Sequence, residues 1–268
     1  VPELPEVESA RYAITTAALG RAIVEVDDTD SYECRPHAPG EIRAALLGRS
    51  LRAAHRRGKT MWCDTSGTDA PVLGIHLGMS GRIVITDADG TIREGGDPRP
   101  RSTTGSHSRF DRFTLTFDDG GALALLDPRR LGRIRLDPDI DALGPDALTV
   151  TPAQFRAVMA RGTAPVKARL LDQSAVAGVG NLLADETLWQ ARINPARAVA
   201  DLSRADVDRL HRALRRALAS AIERGGSHTG RMIDFRRAEA RCPRCHAEMG
   251  RGMVGGRTTW WCSREQAV

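Results

Sequence analysis

The chain has 268 residues, 41% of them hydrophobic and 27% charged, and a formal charge of +5. That suits a globular protein of one large or two modest domains, and the lack of any apolar run of about 18 residues excludes a helical membrane span. The start has neither the basic nor the apolar region of a secretory signal, so a cytoplasmic protein is expected, and the basic balance points to a polyanionic partner.

The chain opens Val1-Pro2-Glu3. A proline at position 2 becomes the N-terminal residue once an initiator is removed. A free α-amine ionises near about 7.7–8.0, against about 10.4 for a lysine side chain, so much more of it is neutral at pH 7. Such an amine can attack a carbonyl-like carbon and form a Schiff base, and the neighbouring carboxylic acid can donate a proton. The competing reading is a proline in the first turn of a helix. Residues 6–19 do read as a helix, with Val7, Ala10, Ile14 and Leu19 at helical spacing and Gly20 to end it.

Short apolar runs separated by turn signals follow at 22–26, 61–63, 72–76, 82–85, 113–117, 122–126 and 133–136. Residues 113–117 and 133–136 alternate as strands do, and Asp118-Asp119-Gly120-Gly121 is a hairpin turn. This half reads as a strand-rich sandwich or barrel with a helix at its edge. Residues 88–109 have no periodicity and read as a mobile, Arg-bearing loop. Residues 138–152 read as a linker, and helical patterns then run over 152–160, 166–173, 181–190 and 203–223, the last with an arginine-rich exposed face. The expected domains are 1–137, 138–226 and 227–268.

Three groups of residues carry chemistry. Only Lys59 and Lys167 among the 39 basic residues are lysine. Positions that stay Lys in an Arg-saturated chain are candidates for chemistry that needs a compact, titratable ammonium. Ala177-Gly178-Val179-Gly180-Asn181 precedes a helix, where backbone N–H groups can hold a phosphate and Asn181 can cap. In the tail, Cys242, Cys245 and Cys262 give three quarters of a zinc ribbon. Glu265 stands where the fourth cysteine is expected, and His246 is a second candidate. Cys34 and Cys63 stand alone and are expected to be reduced.

Six motifs in order, Pro2–Glu8 (PELPEVE), Arg57-Gly58-Lys59, His76–Gly81 (HLGMSG), Asp127–Gly132 (DPRRLG), Gly178–Asn181 (GVGN) and the Cys-rich tail, closely resemble the formamidopyrimidine-DNA glycosylase family, which includes endonuclease VIII. The resemblance spans essentially the whole length. It implies an α+β multidomain fold with an N-terminal β-sandwich and flanking helices, an all-α helix–two-turn–helix domain, and a C-terminal zinc-ribbon-like β-hairpin. It implies a monomeric enzyme of base excision repair that binds damaged double-stranded DNA between its halves and flips out the damaged nucleotide.

By resemblance, Pro2 attacks C1′ and displaces the base, Glu3 is the general acid, and Lys59 and Arg257 assist β,δ-elimination. Met79, Arg129 and Leu131 fill the gap left by the flipped base, Lys167 and Asn181 meet DNA phosphate, and Cys242, Cys245, Cys262 and Glu265 hold a structural Zn2+. Val1 then reads as a literally translated GUG start codon, removed as methionine.

The chain departs from the family pattern at Leu131, where a Phe wedge is usual, at Phe110-Asp111-Arg112, where His-Asp-His is usual, and at Thr163, where a lysine is expected. Residues 227–241 are also shorter than the loop that closes over 8-oxoguanine. Oxidised purines are the expected substrates. The alternatives are oxidised pyrimidines, as for endonuclease VIII, and a non-catalytic damage binder.

Overall fold

A computed structural model of the chain describes residues 2–96 and 109–267. They form two compact units, one of Pro2 with residues 6–140 and one of Glu3–Pro5 with residues 141–267.

The first unit is a β-sandwich. Helix α1 (Leu4–Ala17) precedes strand β1 (Ile23–Asp27) and a short helix α2 (Glu41–Leu46). Then come β2 (Leu51–Arg57), β3 (Thr60–Thr65), β4 (Leu73–His76), β5 (Arg82–Thr86), β6 (Ile92–Gly96), β7 (Asp111–Phe117), β8 (Ala122–Leu126) and β9 (Arg133–Leu136). One antiparallel sheet runs β1-β7-β8-β5-β6 and the other β2-β3-β4-β9. Strand β7 buries every second residue, so Phe113, Leu115 and Phe117 enter the core, as the period of two requires. They join Ile83, Ile85, Leu123 and Leu125 of their own sheet, Met61, Cys63, Leu73, Ile75 and Ile134 of the other, and Val7, Ala10 and Ile14 of α1 in one apolar cluster.

Two strands depart from the sequence reading. Strand β2 (LRAAHRR) is polar and lies at the edge of its sheet, so only its pairing with β3 reveals it. Ile92–Gly96 was expected to lie in the 88–109 loop but pairs with β5 from Arg82↔Gly96 to Thr86↔Ile92. The rest of that loop, 97–108, and Val1 lie outside the described residues.

The second unit continues with α3 (Pro152–Met159), α4 (Val166–Leu171), α5 (Asn181–Ala191), α6 (Arg204–Glu223) and a hairpin of β10 (Met249–Val254) and β11 (Arg257–Cys262). Helices α3 and α6 each begin with a capping box, Thr151 with Gln154 and Ser203 with Asp206. Leu4, Phe155, Leu170, Leu183, Leu188, Leu210 and Leu214 share one core. Trp189, Met232, Trp260, Cys242 and Cys262 form a smaller one under the hairpin. Among the described residues no helix is long and apolar enough to cross a membrane.

Candidate active site and nucleic-acid interface

In the first unit, Pro2 is buried. Lys59 sits half-buried in the two-residue turn Gly58-Lys59 between β2 and β3, with Gly58 at φ 60°. That turn is braced from the first motif. Glu8 accepts from Arg56 Nε at 2.9 Å, and Arg56 donates onward to the Gly58 carbonyl at 3.1 Å. Burial raises the Glu8 carboxyl, but hydrogen bonds from Arg11 and Arg56 outweigh it and hold its pKa below the usual carboxylate range. His76, at the end of β4, has its pKa lowered by burial and then by the charges of Lys59 and Arg135. The neutral ring accepts the Gly78 N–H on Nδ1 at 3.0 Å, which fixes the start of the loop that bears Met79.

Asp127 organises the three expected gap-filling residues. Its buried carboxylate accepts the N–H of Arg129 at 3.1 Å and those of Leu131 and Gly132 at 2.8 Å each, together with the Ser80 hydroxyl. A Cβ on Gly78 would stand 2.3 Å from the Leu131 carbonyl, so only glycine lets the Met79 loop approach the Leu131 loop this closely. Met79, Arg129 and Leu131 are thereby brought to one place, with Met79 36% exposed and Arg129 exposed. Arg112, at the usual histidine position, donates to the Asp127 carbonyl at 2.9 Å. Beneath the loop Glu33 is fully buried. Burial first, then the charge and hydrogen bond of Asp127, push its carboxyl up to about 8.

In the second unit, Glu3 caps the N-terminus of α5. Its carboxylate accepts the N–H groups of Gly180 at 2.9 Å, Leu182 at 2.8 Å and Leu183 at 3.1 Å. A Cβ on Gly180 would stand 2.3 Å from the Glu3 carboxyl carbon, which explains the second glycine of the motif. The cap expected of Asn181 is therefore supplied by Glu3, because Asn181 is the first residue of the helix and its Nδ2 donates instead to the Thr258 carbonyl at 3.1 Å.

Lys167 does not reach the surface. It is 0% exposed, and its ammonium lies 2.6 Å from Asp185 and 2.7 Å from the Thr259 hydroxyl. Burial lowers its pKa, while Asp185 acts to raise it. Arg257 is exposed just after the Gly255-Gly256 turn, whose φ values of 59° and 70° suit a tight two-residue hairpin.

The cysteines of the tail meet. Ligand atoms of Cys242, Cys245, Cys262 and Glu265 all lie within 4.8 Å of one another, so the group can hold a metal ion. Trp189 Nε1 donates to Cys242 Sγ and the Glu265 N–H to Cys262 Sγ, each at 3.3 Å, which suits thiolates. Arg244 at 2.8 Å and Arg192 at 3.6 Å flank the Glu265 carboxylate and would offset the excess negative charge of three thiolates and a carboxylate around a divalent ion. His246, the alternative ligand, is exposed at φ 59° and outside this group. Cys34 and Cys63 are free, buried thiols, both raised to about 12 by burial.

Asp127, Glu33, Asp185 and Arg236 had no role in the sequence reading. Asp127 opens a motif and Asp185 follows the GVGN turn by one helical turn, so an acid beside an anion-binding segment was the available signal.

The sequence model of the formamidopyrimidine-DNA glycosylase N-terminal domain matches residues 1–134, and that of the H2TH domain of the same enzyme matches 142–232. The formamidopyrimidine-DNA glycosylase of Chloroflexus aurantiacus is 32% identical over 98% of this chain and 96% of its own length. That of Symbiobacterium thermophilum is 34% identical over 100% and 90%. Among solved structures, the Lactococcus lactis enzyme bound to DNA with an AP site has a TM-score of 0.82 at 28% identity, covering 99% of this chain and 100% of that one. The same enzyme with DNA containing N7-benzyl-Fapy-dG, and with DNA containing an oxidised pyrimidine, each has a TM-score of 0.82 at 27% identity with full coverage of both chains. With both domain models matched and relatives similar end to end, this chain belongs to the formamidopyrimidine-DNA glycosylase family.

Proposed function

We propose that Pro2, with Glu3, Lys59 and Arg257, carries out base excision and strand cleavage in this chain. As a family member the protein is a base-excision-repair DNA glycosylase with AP lyase activity that acts on oxidised bases in double-stranded DNA. One observation carries the proposed roles. Chain ends ordinarily fray, yet Pro2 is buried and Glu3 is held by three backbone N–H groups of α5, so the reacting residue has a fixed place.

With residue 1 removed, the Pro2 amine bonds to C1′ as the bond from C1′ to the base breaks, and the base leaves with a proton. The C1′–O4′ bond then opens, with O4′ taking a proton from the Glu3 carboxylic acid, and the resulting iminium makes the C2′ proton acidic. Loss of that proton breaks the C3′–O3′ bond, and loss of the C4′ proton then breaks C5′–O5′. Lys59 and Arg257 offer cations to the departing phosphates, while Met79, Arg129 and Leu131 occupy the space of the flipped nucleotide. Asn181, beside the α5 N-terminus whose Gly180, Leu182 and Leu183 N–H groups Glu3 holds, is proposed to meet DNA phosphate.

Oxidised purines are the leading substrates. A second reading, oxidised pyrimidines, is favoured by the short 227–241 segment. Its Arg236 is tied to Asp185 at 2.9 Å, leaving little chain to close over a base. Incubation with 8-oxoguanine duplex and borohydride should trap a covalent adduct that Pro2→Gly, or a mature chain that keeps residue 1, does not form. No adduct from a chain that starts at Pro2, with tight binding to an abasic analogue, would select the damage binder. Faster cleavage of thymine glycol than of 8-oxoguanine would select the pyrimidine reading.

Cys242, Cys245, Cys262 and Glu265 would hold zinc, which when bound cross-links the base of the hairpin. Native mass spectrometry should find one zinc per chain, and Glu265→Cys should slow its removal by a chelator.

A further inference from the structure

The carbonyls at the root of the hairpin tip are gripped by a buried charged network that the chemistry above does not use. Asp185, on α5, is 1% exposed. It pairs with Lys167 of α4 at 2.6 Å through one oxygen. Through the other it meets Arg236 Nε at 2.9 Å and the Trp260 N–H at 3.3 Å. Lys167 donates to the Thr259 hydroxyl at 2.7 Å, and that hydroxyl donates to the Arg257 carbonyl at 2.9 Å. Asn181 Nδ2 at 3.1 Å, and Lys167 Nζ and Arg236 Nη2 at 3.4 Å, converge on the Thr258 carbonyl. An unbroken line of contacts thus runs from Asp185 through Lys167 and Thr259 to the backbone of Arg257. The opposite end of the turn rests on α4, since a Cβ on Gly255 would stand 3.0 Å from the Ala168 Cα.

We infer that Asp185 and Thr259 are positioning residues for Arg257: the Asp185–Lys167–Thr259 line fixes the backbone from which the Arg257 guanidinium reaches DNA phosphate and the second elimination. The inference rests on the role given to Arg257 above. A charge-assisted contact on a buried hydroxyl holds one rotamer, and a cation misplaced by about 1 Å can cost roughly a hundredfold in rate. It also gives Lys167 its place. The lysine acts on DNA through the hairpin, not by contact.

The test is a double-variant cycle on the full chain. Thr259→Val keeps the side-chain shape and removes the hydroxyl, Thr259→Ser restores it, and Arg257→Ala is the reference. One readout is the fraction of cut strands carried through both eliminations rather than stopped after the first. The other is affinity for a duplex with a tetrahydrofuran abasic analogue, which needs no catalysis.

Thr259→Val should lower the doubly eliminated fraction about tenfold and weaken analogue binding severalfold, Thr259→Ser should recover both, and Val added to Arg257→Ala should change neither further. Asp185→Asn should act in the same direction, with Thr259→Val decisive should that variant fold poorly. A wild-type product ratio and affinity in folded Thr259→Val, or effects that multiply with Arg257→Ala, would overturn the inference. A wild-type chain that cuts no DNA would sink the proposed function, while non-additive binding would still support the line to Arg257.

Discussion

The two units bury a carboxylate in opposite ways, each beneath a segment proposed above to meet DNA. In the second, Asp185 is neutralised by the cations Lys167 and Arg236. In the first, Asp127 has no such partner among the described residues. It is held by three backbone N–H groups and the Ser80 hydroxyl, with a second acid, Glu33, against it. A charge out of water must be paired and hydrogen-bonded. Cations do this between separate segments, α4, α5 and the hairpin, whereas N–H groups do it within one tight loop. The first arrangement should fail when a charge is removed and the second when a charge is added.

The sharpest way to break this contrast is Lys167→Met. It leaves Asp185 buried with Arg236 as its one cation among the described residues, and burial already pushes the Asp185 carboxyl upward. Removing one partner of a buried pair costs about 3–5 kcal/mol, so the urea midpoint should fall accordingly. A loss below about 1 kcal/mol would show that Arg236 alone suffices.

Next in size is the pH dependence from Glu33. Its folded pKa, about 8, is raised above its ordinary 4.5, so between these values the folded chain holds more protons than the unfolded one. Its contribution is complete below the unfolded value and is lost as pH rises through the folded one. At about 1.4 kcal/mol per unit, with relaxation of the site, stability should fall by about 2–4 kcal/mol from acid to alkaline pH. Glu33→Gln should flatten that fall. Denaturation midpoints across the window measure both, and equal slopes would place the proton elsewhere.

Smaller is Ser80→Ala, which removes the hydroxyl donor to Asp127 and should cost about 1–2 kcal/mol. Smallest is Glu8→Gln in the partly exposed Glu8–Arg11–Arg56 group, where screening limits the effect to about 1 kcal/mol or less. If it equals Lys167→Met, burial is not what separates the two kinds of network.

The sequence by itself determined the family through six motifs in order. It also determined the positions of most strands and helices, because period-2 and period-3.6 patterns follow from geometry that each residue carries locally. Pro2, Lys59 and the cysteine cluster could be named as candidates from residue type alone, because that chemistry does not depend on distant neighbours. Edge strand β2 and strand β6 were not, since their identity lies in pairing rather than in apolar alternation. The buried placement of Lys167 was hidden as well. An ammonium near DNA and one with no exposure beside Asp185 are written with the same letter, and only the packing of α4, α5 and β11 chooses. Likewise Glu3 reads as an acid beside a nucleophile, and only the fold sets it against the N–H groups of Gly180, Leu182 and Leu183, some 180 residues away in sequence. Local periodicity and intrinsic reactivity are properties of a residue and its neighbours, whereas which charge meets which is settled by the long-range contacts that bury them.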